Sequence, residues 1–362
     1  MTDKLKELNR HLMDISTWLF SERAPLVIAG PCSAESEQQV LETAKGLAGS
    51  PHVKVFRAGI WKPRTRPNSF EGVGEAGLEW LKAVKNETSL LTTTEVANAK
   101  HVELCLENNV DILWIGARTT VNPFIVQEIA DSLKGVNVPV LVKNPINAEL
   151  GLWLGAIERL YQAGIRKLAA IHRGFSTYDE MEYRNRPHWE IPIELKRQLP
   201  KLPLICDPSH IGGHRKFIEP ISQMALDFGM QGLMIETHTD PDHALSDAKQ
   251  QITPKELIEM LERLRTRDAE LTDKQLKAQL AHLRAAINHT DSKIIQDIAE
   301  RMKWVDEIGK LKQQHNIPVL QISRWENLLK DHVAKAEKAG LDGEFIKALF
   351  ELIHAQAVKK QL

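Results

Sequence analysis

Leu202-Pro203-Leu204-Ile205-Cys206 is a short apolar run, and Asp207-Pro208-Ser209-His210 follows it at once with a carboxylate and an imidazole. A run this short, bounded by turn residues, reads as a strand buried on both faces, which parallel sheets produce. Seven more runs of the same kind occur: Leu26–Ala29, Val53–Arg57, Leu90–Thr94, Ile112–Ile115, Pro139–Val142, Lys167–Ile171 and Gly232–Ile235. Between them lie stretches of helical spacing, such as 37–47 and 151–163, the latter stopping at Gly164 as a helix C-terminus commonly does. Eight alternating strand and helix units within about 250 residues predict a closed barrel. A doubly wound open sheet is the second choice.

The 362 residues exceed one such barrel, so two domains are expected. We place the barrel at 1–264, its last helix near 253–264, a charged linker at 265–271 and a helical domain at 272–362. In the last of these, Thr272 and Gln275 form a capping box ahead of Leu276, Leu280, Leu283, Ile287, Ile294 and Ile298. The pattern continues through Met302, Val305 and Ile308 and predicts one long helix ending near Pro318, with shorter helices around 325–338 and 344–360. Three helices of such unequal length make a thin core, so the apolar stripe is expected to meet a second copy in a homodimer.

A formal net charge of −1 excludes sequence-wide attraction to nucleic acid or anionic membranes. The opening residues mix Lys with Glu and lack the apolar core of a signal peptide, and no apolar run approaches the length of a membrane span. A soluble cytoplasmic protein is expected. Three cysteines, Cys32, Cys105 and Cys206, have no paired spacing and do not make a disulfide framework.

Cys32, Arg57, Glu95, Arg118, Lys143, Arg173, Asp207, His210 and Glu236 all fall at or just past strand ends, the face on which barrel active sites lie. Taken singly, a buried cysteine or a solvated arginine needs no function. Converging on one rim, these charges need anions and a cation for compensation. Arg57, Arg118, Lys143 and Arg173, with Lys62 and Arg64 in the following loop, suit phosphate and carboxylate groups. Cys32, His210, Glu236 and Asp247 combine sulfur, nitrogen and oxygen donors and suit a borderline divalent metal. Ser33 and Cys206 read as structural.

The motifs Gly30-Pro31-Cys32-Ser33, Lys62-Pro63-Arg64-Thr65, Gly116-Ala117-Arg118, Asp207-Pro208-Ser209-His210, Glu236-Thr237-His238 and Ala244-Leu245-Ser246-Asp247 resemble 3-deoxy-D-arabino-heptulosonate 7-phosphate (DAHP) synthases over roughly residues 25–264. The resemblance implies a (β/α)8 TIM barrel condensing phosphoenolpyruvate with erythrose 4-phosphate. It implies Cys32, His210, Glu236 and Asp247 as ligands of a divalent metal, manganese(II) being the first choice. Arg57, Lys62, Gly116, Ala117, Arg118, Lys143 and Arg173 would hold phosphoenolpyruvate, and Lys62, Pro63, Arg64 and Thr65 the sugar phosphate. Lys62 is a candidate proton donor and Glu95 a candidate base for water, against the plainer reading of Glu95 as an arginine's partner. Octulosonate phosphate synthases share the Gly-Pro-Cys opening but carry Lys-Ala-Asn-Arg in that loop, which favours the four-carbon sugar. Arg66 stands where the synthases often have serine. The few residues ahead of the first strand imply that no separate regulatory domain precedes the barrel.

The helical part resembles the all-α chorismate mutases through Leu283-Arg284, Ala299-Glu300-Arg301, Gly309-Lys310-Leu311-Lys312, Arg324 and Ile353-His354 leading to Gln361. By that resemblance Arg301 and Arg284 clamp the carboxylates of chorismate, Arg284 crossing from the partner chain. Lys312 and Gln361 face the ether oxygen, and Arg324 assists. Trp325 stands where many mutases have an acid and Ala357 where a serine is common. Those departures motivate an alternative in which the helical domain chiefly dimerises and senses prephenate or chorismate, with weak mutase activity. Prephenate is then both product and inhibitor, and the linker lets the mutase dimer close over the barrel.

Overall fold

The computed structural model describes residues 3–19, 25–62, 70–178, 182–267 and 273–361. Two compact units are present, Met1–Ala269 and Glu270–Leu362.

The first unit is a closed barrel of eight parallel strands in sequential order. These are β1 (Leu26–Gly30), β2 (Val53–Arg57), β3 (Leu91–Val96), β4 (Ile112–Ile115), β5 (Val140–Lys143), β6 (Leu168–His172), β7 (Leu204–Cys206) and β8 (Gly232–Glu236). Closure comes from β8 pairing with β1, Leu26 opposite Gly232 through Gly30 opposite Glu236. Eight sequence runs thus become eight strands, shifted by a residue or two at β3, β5, β6 and β7. The open-sheet alternative is excluded by that pairing.

Around the strands lie α1 (Asp3–His11), α2 (Glu37–Ala48), α3 (Ala76–Thr88), α4 (Ala99–Glu107), α5 (Ala117–Thr120), α6 (Pro123–Ser132), α7 (Leu150–Gln162), α8 (Glu190–Gln198), α9 (Pro208–Gly212), α10 (Ile218–Asp227) and α11 (Pro254–Arg263). Strand residues alternate between two cores. Val27 and Ala29 face the helices in the larger one. Ile28, Val55, Ile112, Trp114, Leu141, Ile171, Ile205 and Met234 fill the barrel interior. Leu19 joins that inner cluster with Ile15 and Trp18 beside it, so the amino-terminal segment plugs the barrel. Each such fully buried side chain contributes roughly 1.5–3 kcal/mol. The plug leaves the opposite, carboxyl-terminal mouth for chemistry.

α11 begins with a complete capping box between Thr253 and Glu256. Beyond it, Arg265 exchanges backbone hydrogen bonds with the Gln223 side chain, at 2.8 and 2.9 Å, and Arg267 pairs with Asp227 at 2.7 Å. The start of the charged segment is therefore tied to the barrel.

The second unit contains α12 (Lys274–Gln314), α13 (Ile322–Lys338) and α14 (Gly343–Gln361). At 41 residues α12 is about 60 Å long. Its N-cap is Asp273, which accepts from the backbone N–H groups of Gln275 and Leu276, whereas Thr272 lies outside the described residues. One carboxylate oxygen thus satisfies two orphan donors of the helix start. Only Val305 and Gly309 are buried on α12. Leu283, Ile287, Ile294 and Ile295 are between 50% and 68% exposed, an apolar stripe with nothing packed on it within the unit.

Candidate active sites

Strand ends deliver the charged side chains to one cleft, lined by Lys62, Glu95, Ala117, Arg118, Lys143, Arg173, Arg184, His210 and Asp247. Cations outnumber carboxylates on that lining. Each is held by its element. Lys143 ends β5 and donates to Asp207 at 2.7 Å, both side chains being buried. Arg173 follows β6 and donates to Asn185 at 2.8 Å, while Asn144 fixes the Arg173 backbone. Glu95 accepts from Trp114 Nε1 at 3.2 Å. Its second oxygen occupies the space where Gly116 has no side chain. Burial, foremost, lowers the pKa of Lys143 and brings that of Arg173 to about 10.

Beside the cleft, Cys32, Glu236 and Asp247 present ligand atoms within 4.8 Å of one another. His210 adds its Nε2 3.7 Å from Glu236 Oε1, because its Nδ1 is engaged by Asp207 at 2.8 Å. A carboxylate on one ring nitrogen and a free second nitrogen is the arrangement of a metal-binding histidine. Sulfur, imidazole nitrogen and two carboxylates thus lie together as one mixed donor set. Burial, then Glu236, pushes the Cys32 thiol up to about 12, and a bound metal would reverse this by taking the thiolate. Burial opposes ionisation of Asp247, yet Arg184 and His210 hold its carboxyl well below the usual range. Asp247 also has φ +51°, a left-handed conformation that costs a non-glycine residue energy and clusters at functional sites. The donor set fits a divalent transition metal.

In the helical unit, Arg301 Nη1, His354 Nε2 and Gln361 Oε1 are buried without a hydrogen bond among the described residues. Burial lowers the His354 pKa, and the charges of Arg301 and Lys312 add to it, so these groups share one neighbourhood. Lys312 Nζ donates to the Val319 carbonyl at 2.6 Å. Gln361 lies against Gly309, where a Cβ would stand 3.1 Å from Gln361 Cγ, and the missing side chain lets α14 approach α12. Trp325 stacks on His354 with centroids 3.9 Å apart. Unpartnered buried donors and an acceptor in one place await a polar ligand.

A family model described as "DAHP synthetase I family" matches residues 20–273, and one described as "Chorismate mutase type II" matches residues 283–362. The chain belongs to the DAHP synthetase I family. A phospho-2-dehydro-3-deoxyheptonate aldolase of Thermotoga maritima is 34% identical over 241 residues, covering 66% of this chain and 69% of the relative. The crystal structure of a DAHP synthase from the same organism superposes with a TM-score of 0.60 over 66% of this chain and 67% of that one. A 2-dehydro-3-deoxyphosphooctonate aldolase of Desulfotalea psychrophila is 30% identical over 262 residues, covering 66% of this chain and 88% of the relative. The protein is thus an enzyme of aromatic biosynthesis with a DAHP synthase domain and a chorismate mutase domain.

Against the sequence expectations, the synthase domain gathers Lys62, Glu95, Ala117, Arg118, Lys143, Arg173, His210 and Asp247 on the cleft. Lys62 Nζ donates to the Cys32 carbonyl at 3.0 Å and lies 3.2 Å from Cys32 Sγ. Arg57 is buried at the end of β2 and donates to Glu236 at 3.1 Å. Its Nε and Nη1 make no hydrogen bond among the described residues. Pro63, Arg64, Thr65 and Arg66 lie outside the described residues. Ser33 is buried against Ser246 at 2.6 Å, as a structural residue should be. In the mutase domain, Arg284 and Arg324 are exposed, and Arg284 lies on α12 seventeen residues before Arg301, about 25 Å away. Arg184 and Gln250 carry no sequence signal, Arg184 lying in a bend and Gln250 closing a three-residue 3-10 turn, Ala248–Gln250, too short to show a period.

Proposed function

We propose that the synthase domain uses a divalent metal, manganese(II) for preference, held by Cys32, His210, Glu236 and Asp247. The proposal rests on one observation: a thiol and two carboxylates converge beside a cleft walled by cations. When bound, the metal supplies Lewis-acid polarisation of the erythrose 4-phosphate aldehyde. Arg57, Lys62, Arg118, Lys143 and Arg173 hold the phosphate and carboxylate of phosphoenolpyruvate, with Gly116 and Ala117 at the backbone. Fixed next to the aldehyde, the enol carbon attacks it, and Lys62 protonates the new alkoxide. Glu95 orients and deprotonates the water that adds to the cationic carbon, after which phosphate leaves. Lys62, Pro63, Arg64 and Thr65 receive the sugar phosphate.

The mutase domain converts chorismate to prephenate without a nucleophile, by clamping its reactive conformer. Arg301, with Arg324 assisting, and Arg284 from a second copy bind the carboxylates, while Lys312 and Gln361 address the ether oxygen. The apolar stripe on α12 supports a homodimer, with residues 265–271 as the connection between the domains at 1–264 and 272–362. Prephenate acts as product and as inhibitor of the synthase. Charge balance and the absence of a long apolar helix among the described residues support a cytoplasmic enzyme.

Purified protein given phosphoenolpyruvate, erythrose 4-phosphate and manganese, with and without chelator, tests this reading. Enolpyruvate absorbance should fall only when aldehyde and metal are both present, while chorismate loss proceeds unchanged in chelator. Aldehyde-dependent consumption that ignores the chelator would overturn the metal assignment.

A further inference from the structure

Two carboxylates can share a metal only if their lone pairs aim at one point, so something must hold each carboxylate plane. In this chain the two are joined by a continuous set of hydrogen bonds. Gln250 Nε2 donates to Glu236 Oε2 at 2.6 Å. The Gln250 side-chain oxygen accepts from Arg184 Nη1 at 2.7 Å, and the same Arg184 nitrogen donates to Asp247 Oδ1 at 2.9 Å. The direction of the Gln250 amide is dictated by its neighbours, since an ionised carboxylate only accepts and a guanidinium only donates.

Each carboxylate is thereby bonded to the brace through one oxygen, and its other oxygen faces the donor set. Glu236 Oε1 lies 3.7 Å from His210 Nε2. Asp247 Oδ2 lies 3.2 Å from Cys32 Sγ. Gln250 is 1% exposed, so this amide has no water to bond in place of its partners. The segment that carries Gln250 is anchored independently, Arg215 donating to the Ala248 carbonyl at 3.1 Å and pairing with Asp242 at 2.7 Å. Asp247 itself sits at φ +51°, and the Arg184 bond supplies a reason for the strained backbone to persist.

The geometry points to Arg184 and Gln250 as positioning residues that act as one brace, aligning Glu236 and Asp247 for the metal. Neither is a ligand. Arg184 comes from the connection between β6 and α8, so the brace also links that connection to the ligand segment after β8. The inference rests on the metal reading above.

Metal-free full-length enzyme is titrated with Mn2+ alone by calorimetry, for wild type, R184A, R184K, Q250L and R184A/Q250L. Wild type should take up one equivalent; if it takes up none, the metal reading fails and the brace with it. Given wild-type uptake, R184A and Q250L should each raise the Mn2+ Kd about 10–100-fold, the cost of losing an outer-sphere partner. The double variant should be little worse than the poorer single one, because either break opens the same chain. R184K, keeping a charge beside Asp247 but not the fork, should fall between wild type and R184A. The visible spectrum of the Co2+-loaded enzyme should shift in both single variants. A wild-type Mn2+ Kd and Co2+ spectrum in R184A overturn the brace, and a raised KM for phosphoenolpyruvate alongside them would make Arg184 a substrate contact. Arg184 is half-exposed, so its replacement keeps the test valid even if Q250L fails to fold.

Discussion

A Cβ on Gly116 would stand 2.0 Å from Glu95 Oε1. The backbone there, φ −74° and ψ 159°, is open to any residue, so the glycine serves space and not conformation. G116A should therefore fold normally while displacing the Glu95 carboxylate. Its synthase kcat should drop on the order of 100-fold, as expected for a misplaced general base, and E95A should be no more than modestly worse. Stopped assays of phosphate release with thermal unfolding check both halves. Unimpaired turnover in G116A would remove Glu95 from the reaction.

The buried pair of Lys143 and Asp207 gives a stability prediction. Asp207 is shared by Lys143 and His210, so D207N strands the buried ammonium, a loss of about 3–5 kcal/mol, while K143M leaves the carboxylate its histidine. K143M should therefore lower the unfolding free energy in urea by less than D207N does, and K143M/D207N should recover part of the D207N loss by removing the stranded charge. If the double variant is as unstable as the sum of the single ones, the two residues do not act as a pair.

The barrel was legible because its strands are buried on both faces and so read as uninterrupted apolar runs from Leu26 to Ile235. Part of the thiol and carboxylate cluster was legible for the same reason, since Cys32, His210 and Glu236 fall at or just past strand ends whose position the runs define. The contacts of Arg184 and Gln250 with Asp247 and Glu236 close through connections between regular elements, Asp247 at positive φ, and no period of 2 or 3.6 reports such closures. Likewise the apolar residues of α12 announced a long helix whose stripe two shorter helices are too short to cover, and Leu283, Ile287, Ile294 and Ile295 are exposed within the unit.

His172 gives the chain an acid sensitivity. It is fully buried among Trp153, Phe175 and Trp189. Burial first, then Arg173, brings its pKa down to about 3. The unfolded chain takes up this proton below about pH 6.5 and the folded one does not, so the stability is complete above that value and is lost as pH falls toward 3. The loss from this group is roughly 5 kcal/mol at the acid end. H172F fills the same aromatic cage without a titrating group and should flatten the stability profile between pH 6 and 4 in urea titrations. A profile parallel to wild type would assign the sensitivity to other residues.

Arg284 decides whether the mutase site is shared between chains. Its distance along α12 prevents it from reaching the Arg301 pocket of the same helix, and its exposure leaves it available to a second copy. R284A and R301A should each lose most chorismate turnover as pure proteins. Mixed in equal amounts and allowed to exchange subunits, half of the dimers carry one chain of each kind, and each of those holds one site with both arginines intact. The mixture should regain about one quarter of wild-type turnover, since only one site in four is whole under random exchange. No recovery after exchange, verified by mass-tagged heterodimers, would place the functional arginines within a single chain.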